Sequence, residues 1–194
     1  MASQAFTITV DVDTLMTDFI PKMARQLIAV RNPSEDLAGT ELTLTADISD
    51  ERYSFRIKDG HKFDAQKGNL ENPMVFLSLT VDDMAKLADM QNIDMLLGAQ
   101  SQMGSDSALA ERYNTLSNLQ GTCVYKLTHP DGEESTITAT FNGAQTPAVT
   151  LKLKMEDARE LTAGKESPVQ AFMAGKLQIE GEMGFAMALQ PLFT

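Results

Sequence analysis

The chain has 194 residues, of which 43% are apolar and 22% charged, and its 27 acidic residues outnumber 16 basic ones to give a net charge of −11. This length and apolar content suffice for a substantial buried core, whereas the acidic balance excludes nucleic acid as a partner and disfavours anionic membrane surfaces. No apolar run approaches the roughly 20 residues that span a bilayer, so no stable membrane insertion is expected, and a single cysteine excludes an internal disulfide.

The first segment alternates apolar and polar residues from Phe6 to Val12. This period of two predicts a half-buried strand over residues 5–12. The segment has neither the basic region nor the apolar run of a secretory signal, so we expect the protein to be cytoplasmic.

A helix is predicted over 13–30, capped by Asp13, with apolar residues four apart on one stripe. Pro21 is expected to delay the start of this helix or to kink it, because proline cannot donate a backbone hydrogen bond. Alternating apolar residues then predict two strands, one around 42–44 and one over 53–57.

The middle of the chain contains the one candidate linker, residues 98–107, which is too short to separate two independently tumbling domains. A helix is predicted over 108–119. A hairpin should follow, with its turn at His129–Gly132, because Pro, Asp and Gly in succession favour a tight turn.

The last third of the chain predicts the order strand, helix, helix, strand, helix. Leu151 and Leu153 alternate with lysines, and the acidic residues after Met155 suit the positive end of a helix that Gly164 ends. Pro168 can open only the first turn of the next helix. The predicted elements lie around 151–154, 155–164, 168–175, 177–179 and 185–189.

Residues 168–184 read Pro-Val-Gln-Ala-Phe-Met-Ala-Gly-Lys-Leu-Gln-Ile-Glu-Gly-Glu-Met-Gly. With the strand and acidic helix start before them, they closely resemble the C-terminal half of the sterol carrier protein 2 family. The resemblance implies an α+β fold of antiparallel sheets covered by helices. It also implies a hydrophobic ligand cavity and no catalytic residues.

Two segments of the chain also resemble each other. Residues 72–83 align with residues 146–157 at a constant offset of 74, the difference between Pro147 and Pro73, and Leu87 falls on Leu161. Such self-similarity predicts two sterol-carrier-like modules, at 1–104 and 105–194.

Neither predicted copy is complete. The first has no counterpart of residues 176–184, and the second is shorter where the first has residues 61–66. Our hypothesis is that the strand over 5–12 fills the sheet position that the first copy lacks, within the sheet that contains residues 74–79.

Side chains that suggest chemistry have structural interpretations instead. His61 and His129 are far apart beside turns, which favours exposed turn residues over metal ligands. Cys123 lies in an apolar strand, as a small buried residue would. The acidic pairs at 82–83 and 156–157 begin helices, where they complement the helix dipole. We therefore expect no metal, no cofactor and no enzymatic activity.

Nine apolar residues that follow the last predicted sheet are expected to wall the ligand cavity implied by the resemblance: Leu161, Phe172, Met173, Leu177, Ile179, Met183, Phe185, Met187 and Leu189. The three methionines among them leave two roles open, core packing and pocket wall, because methionine suits both.

The predicted function is that of a non-enzymatic intracellular carrier, used in lipid binding or lipid transport. The expected ligand is a fatty acyl chain, an acyl thioester or a similar apolar molecule held between sheet and helices. The alternative is an accessory or dimerisation module that has lost ligand binding, and a homodimer would suit that alternative.

Overall fold

The computed structural model describes residues 11–29, 35–87 and 106–192. Its strands are β1 (Glu41–Ile48), β2 (Glu51–Lys58), β3 (Lys62–Lys67), β4 (Val75–Leu79), β5 (Gly121–Thr128), β6 (Glu134–Phe141), β7 (Ala148–Lys154) and β8 (Gln178–Gly181). They form one sheet of eight strands in the order β3-β2-β1-β4-β6-β5-β7-β8. The strands and hairpins predicted within these ranges are confirmed.

Neighbouring strands are antiparallel except for β1 with β4 and β5 with β7, which are parallel. The α+β class is confirmed. The structure differs from the predicted antiparallel sheets in that it has one continuous sheet with two parallel pairs. The period of two in a strand specifies its buried face but not the direction of its neighbour, so the sequence pattern could not distinguish these arrangements.

The helices are α1 (Val12–Thr14), α2 (Ile20–Ala29), α3 (Val81–Leu87), α4 (Asp106–Asn118), α5 (Met155–Thr162), α6 (Pro168–Met173) and α7 (Met183–Ala188), with a π-helical segment at Leu15–Phe19 and 3₁₀ turns at Glu35–Leu37 and Gln190–Leu192. The predicted order at the C-terminal end, strand, helix, helix, strand, helix, is confirmed.

Helices pack on one face of the sheet. Residues paired across neighbouring strands face the same side, so the register defines one apolar face, on which Cys123, Val149 and Leu151 are buried beneath Leu161 and other helix residues. A smaller core forms where Met16 packs on Ala46, Ile48 and Tyr53. The opposite face carries mainly threonine and charged side chains, among them Thr43, Thr122, Thr138, Thr140 and Thr150.

One antiparallel pair, β4 with β6, joins the two halves of the chain. Val75 pairs with Phe141 and Leu77 with Ala139. Val75 is also buried in the same core as the C-terminal helices, and Leu87 packs against that core. The sheet and its main core are therefore continuous across the boundary predicted at residues 104 and 105.

The same pairing pattern occurs in both halves. In the first, β1 pairs with β2 and β4, and Leu77 lies opposite Ala46. In the second, β5 pairs with β6 and β7, and Leu151 lies opposite Tyr125. Leu77 and Leu151 thus hold corresponding register positions, as the offset predicts. This agreement supports the duplication hypothesis, which stays a hypothesis.

The β4–β6 pair supplies what each predicted copy lacks. In the second half, β8 lies beside β7, and in the first half β6 takes the corresponding position beside β4. In the first half, β3 lies beside β2, and in the second half β4 takes the corresponding position beside β6. The hypothesis that residues 5–12 fill the gap beside β4 is therefore wrong, because β1 and β6 already pair with both edges of β4. Residues 5–10 lie outside the described residues, and Val12 is helical.

The first helix begins earlier than predicted. Its cap is Asp11 rather than Asp13, since the Asp11 carboxylate accepts the Thr14 N–H at 3.1 Å. Asp13 instead accepts the Tyr53 hydroxyl at 3.2 Å, which ties the helix to β2. The π-helical segment ends just before Pro21, so the helix adjusts to the proline by local widening rather than by a late start.

The predicted linker at 98–107 lies mostly outside the described residues. Beyond it, α4 begins two residues before the predicted 108, and the turn at His129–Gly132 is closed by the Gly132 N–H, which donates to the His129 carbonyl at 2.9 Å. Helix α6 has Pro168 in its first turn, and Ser167 and Gln170 form a reciprocal capping box before it.

Asp83 links the two halves by hydrogen bonds at the start of α3. One of its carboxylate oxygens accepts the Thr80 N–H at 3.1 Å and the Thr80 hydroxyl at 2.6 Å. The other accepts the Thr136 N–H of β6 at 3.0 Å. Asp83 therefore lies at a helix start, as predicted, and also connects the two halves of the chain.

Replacing Asp83 with alanine is expected to lower the free energy of unfolding by about 2–4 kcal/mol, because it leaves the half-buried Thr136 N–H without its acceptor. Burial alone would raise the pKa of Asp83, but the hydrogen bonds from Thr80 and Thr136 outweigh burial and lower this pKa. Its contribution is therefore fully present above the unfolded value near 4 and is lost as the pH falls through the lowered folded pKa. Urea unfolding of both proteins across this acidic range checks this: their stabilities should converge at low pH.

Candidate functional site

The nine predicted cavity residues all lie on the elements between the start of α5 and the 3₁₀ turn at Gln190–Leu192. Helix α5 follows β7 without a connecting loop, and Gly175 (φ 72°) ends the turn after α6, so both helices are held against the end of the sheet. The fold therefore gathers these residues into one region, but their exposure divides them into two groups.

The first group is buried. Leu161, Leu177, Phe185 and Leu189 all belong to the main core, and Ile179 is half-buried against it. Phe185 of α7 meets the Phe141 ring of β6 edge to face, with ring centroids 6.3 Å apart. Ile179 lies on the apolar face of β8, and the other four side chains are buried in the core next to this face.

The second group is exposed. Met173 exposes 81% of its surface, Met187 52%, and Phe172 and Met183 44% each. Val169 of α6, which is not among the nine predicted residues, belongs with them and is 40% exposed. Its spacing of three and four from Phe172 and Met173 on one helix was the available signal. We call these five residues the exposed apolar set.

The exposure of Met173, Met183 and Met187 bears on the two roles left open for them. A methionine that fills a core is buried, and these three are not. Met16, at 5% exposure, shows the contrast. Core packing is therefore excluded for these methionines in the described structure.

A surface cavity of about 560 Å³ adjoins the exposed apolar set at Met173. It is lined by Glu160, Lys165, Glu166, Gln170, Met173, Ala174 and Lys176. Five of these seven residues are charged or polar. Among the nine predicted residues, only Met173 lines it.

Lys176 organises the charges in this cavity. Its ammonium lies 2.9 Å from Glu166, 3.0 Å from Glu160 and 3.6 Å from Asp157. Hydrogen bonds to Glu166 and Glu160 raise the pKa of Lys176, so it stays charged. Oxygens of the three carboxylates lie within 4.8 Å of one another, but Lys176 already neutralises part of their charge. The arrangement ties α5 to the segments on either side of α6.

A second cavity, of about 280 Å³, lies at the other end of the sheet and is lined by Ser54, Phe55, Arg56, Asp64, Ala65, Gln66 and Leu70. Beside it the Thr45 and Ser54 hydroxyls are 2.9 Å apart, and Ser54 donates to the Gly68 carbonyl at 2.7 Å. None of the nine predicted residues lies there.

The histidines and the cysteine have structural surroundings. His129 Nε2 is 2.7 Å from the hydroxyl of Ser135, which is fully buried and so cannot meet a substrate. His61 Nδ1 is 2.8 Å from the Asp59 carbonyl oxygen. Cys123 is fully buried, and burial raises the pKa of its thiol to about 11. A thiol with this pKa is protonated at neutral pH and is a poor nucleophile.

None of the helices in the described ranges is both long enough and apolar enough to cross a membrane.

Residues 105–194 match the sequence profile of the SCP-2 sterol transfer family. Similar solved structures include the sterol carrier protein domain 2 of Helicoverpa armigera, 27% identical over 52% of this chain and 83% of that chain with a TM-score of 0.35. Sterol carrier protein 2 from Yarrowia lipolytica is 17% identical over 51% and 92%, with a TM-score of 0.36. Sterol Carrier Protein 2 Like 2 from Aedes aegypti is 10% identical over 91% and 94%, with a TM-score of 0.25. The curated proteins gave no match.

Proposed function

Because residues 105–194 match the sequence profile of the SCP-2 sterol transfer family, we propose that this protein is a non-enzymatic intracellular carrier of an apolar ligand. The ligand would be a fatty acyl chain, an acyl thioester or a similar lipid, held between α5, α6, α7 and the sheet. The observation that carries the proposal is the exposed apolar set, which lies within the matched residues directly above a buried apolar layer.

Exposure of large apolar side chains to water is unfavourable unless a ligand or a partner covers them. Single ones are common, but five on the two short helices α6 and α7 favour a binding surface. Each methylene of an acyl chain that leaves water contributes about 0.8 kcal/mol. Ten methylenes would contribute on the order of 8 kcal/mol, and the costs of association and ordering would leave an affinity in the micromolar range or weaker.

The two groups of side chains would have different tasks in this carrier. Leu161, Leu177, Ile179, Phe185 and Leu189 would form the inner wall, and Phe172, Met173, Met183 and Met187 would close over the chain. Methionine suits the second task because its unbranched side chain adapts to ligands of different shape. Helices α6 and α7 are six residues each, and short helices can shift at lower cost than long ones.

Native mass spectrometry of freshly purified protein tests the proposal. A carrier should retain lipid, or should take up added fatty alcohol or fatty acid with an affinity that rises with chain length. Protein that stays free of lipid at every chain length would contradict the proposal.

Replacing both Met173 and Met187 with glutamate should weaken the binding of a fluorescent lipid by at least tenfold, because tenfold corresponds to only about 1.4 kcal/mol. The free energy of unfolding of this double variant should change by less than about 1 kcal/mol, since both side chains are exposed. Phe19→Glu is the control, because Phe19 is as exposed as Met187, at 52%, but lies in the π-helical segment of the first half of the chain. Equal loss of binding in both variants would argue against a site at α6 and α7.

The second candidate function is that of an interaction module, and the same exposed apolar set favours it, because protein partners also cover such surfaces. Native mass spectrometry separates the two functions. A dimer or a captured protein without lipid would support the interaction module.

A further inference from the structure

The cavity at Met173 adjoins the exposed apolar set, so a lipid bound there according to the proposed function would have this cavity beside it. Met173 belongs both to the exposed apolar set and to the cavity lining. A chain held beneath α6 and α7 would therefore place its head group among Glu160, Glu166 and Lys176. The charges of this cavity would then determine which head groups the protein binds.

We propose that this cavity is a head-group subsite that selects apolar ligands with an uncharged or cationic polar end over ligands that end in a carboxylate or phosphate. The inference rests on the proposed function and narrows its ligand class.

The charge balance around the cavity favours this selection. Lys176 is its best-placed cation, but Glu166, Glu160 and Asp157 already surround its ammonium. The two glutamates and two lysines of the lining balance in charge, and Asp157, which lies beside the lining at Lys176, adds one net negative charge. An anionic head group would be repelled, or would have to displace an acidic side chain from Lys176.

An uncharged or cationic head group would not be repelled by these carboxylates. Glu160 is 49% exposed at its side chain, so its carboxylate oxygens can accept further hydrogen bonds. A hydroxyl or ammonium group would donate to such an oxygen without breaking an ion pair. The Gln170 amide, also in the lining, can serve a hydroxyl as donor or acceptor.

Three ligands with the same alkyl chain test the selection: dodecanol, dodecylamine and dodecanoate. Each would displace a neutral fluorescent alkyl probe from the full-length protein at neutral pH, below its critical micelle concentration. Dodecanoate should bind at least about fivefold more weakly than dodecanol, and this difference should shrink as salt screens the carboxylates.

Variants of the lining provide the second readout. Glu160→Gln should improve dodecanoate binding and so narrow the difference between dodecanoate and dodecanol, whereas Lys165→Gln should weaken dodecanoate binding and widen that difference. Glu156→Gln is the matched control, because Glu156 is an exposed carboxylate on the same helix that does not line the cavity. It should leave the preference unchanged.

The outcomes separate the inference from the proposed function. Binding of all three ligands with equal affinity, or strongest binding of dodecanoate, would overturn the head-group selection and leave the carrier function standing. A preference that Glu156→Gln removes as fully as Glu160→Gln would also overturn it, because the cavity would not be its source. Failure of every ligand to bind would overturn both.

Discussion

Residues 105–194 expressed alone are expected to be unfolded or aggregated, although they comprise the whole family match. Without the first half, β6 loses the β4 strand with which it pairs, and the core loses Val75, Leu77 and Leu87. Loss of one buried Leu or Ile side chain typically costs about 2–5 kcal/mol, and an entire domain is stable by only about 5–15 kcal/mol. An exposed β6 edge would also favour association. Circular dichroism and thermal melting of the fragment check this.

The intact chain offers a matched pair of variants for the same junction. Val75→Asp places a carboxylate in the core and should lower stability by at least about 3 kcal/mol, whereas Ser78→Asp, on the polar face of the same strand, should cost less than about 1 kcal/mol. A fragment of residues 105–194 that melts cooperatively as a monomer would contradict the account, and would indicate that the second half completes its sheet without β4.

Gly121→Ala is expected to lower the free energy of unfolding by about 3–5 kcal/mol, because strain and overpacking add at this position. Gly121 has a φ of +138°, and a Cβ there would lie 2.5 Å from the Pro147 carbonyl oxygen and 2.7 Å from the Phe185 ring. The carbonyl belongs to the backbone and cannot rotate away. Phe185 would be displaced, and α7 would be displaced with it. Chemical unfolding measures the loss.

Gly143→Ala is the control for Gly121→Ala. Gly143 also has a positive φ, of +70°, but a Cβ there would meet no atom within 4 Å. Gly143→Ala should therefore lower the free energy of unfolding only by the conformational strain of the positive φ, about 1–2 kcal/mol. Equal losses in the two variants would show that α7 does not pack closely over the start of β5.

Much of the C-terminal half could be predicted because its signals are local. The alternation of Leu151 and Leu153, the proline that opens α6 and Gly175 after it each act within a few residues. The division of the nine cavity residues into buried and exposed groups could not be predicted from the same pattern. Phe172 and Leu177 are equally apolar in sequence, and only the packing of α6 against α5 decides which of them is covered.

The junction between the halves depends on long-range pairing that no local pattern specifies. The missing segments of both copies are visible in the sequence, but no local pattern shows that a single strand pair supplies both. Their common solution, β4 beside β6, joins residues about sixty positions apart. The alternation over residues 5–12 predicts a strand but does not specify its partner, so the sequence pattern alone could not exclude the position beside β4.

Methyl NMR of protein labelled with ¹³C at its twelve methionines tests the central claim, that an apolar ligand binds at α6 and α7, most directly. During titration with dodecanol, the methyl signals of Met173, Met183 and Met187 should shift and saturate together, while those of the buried Met16 and Met74 should stay in place. Saturable shifts confined to other methionines, or no shift at all at saturating alcohol, would contradict it.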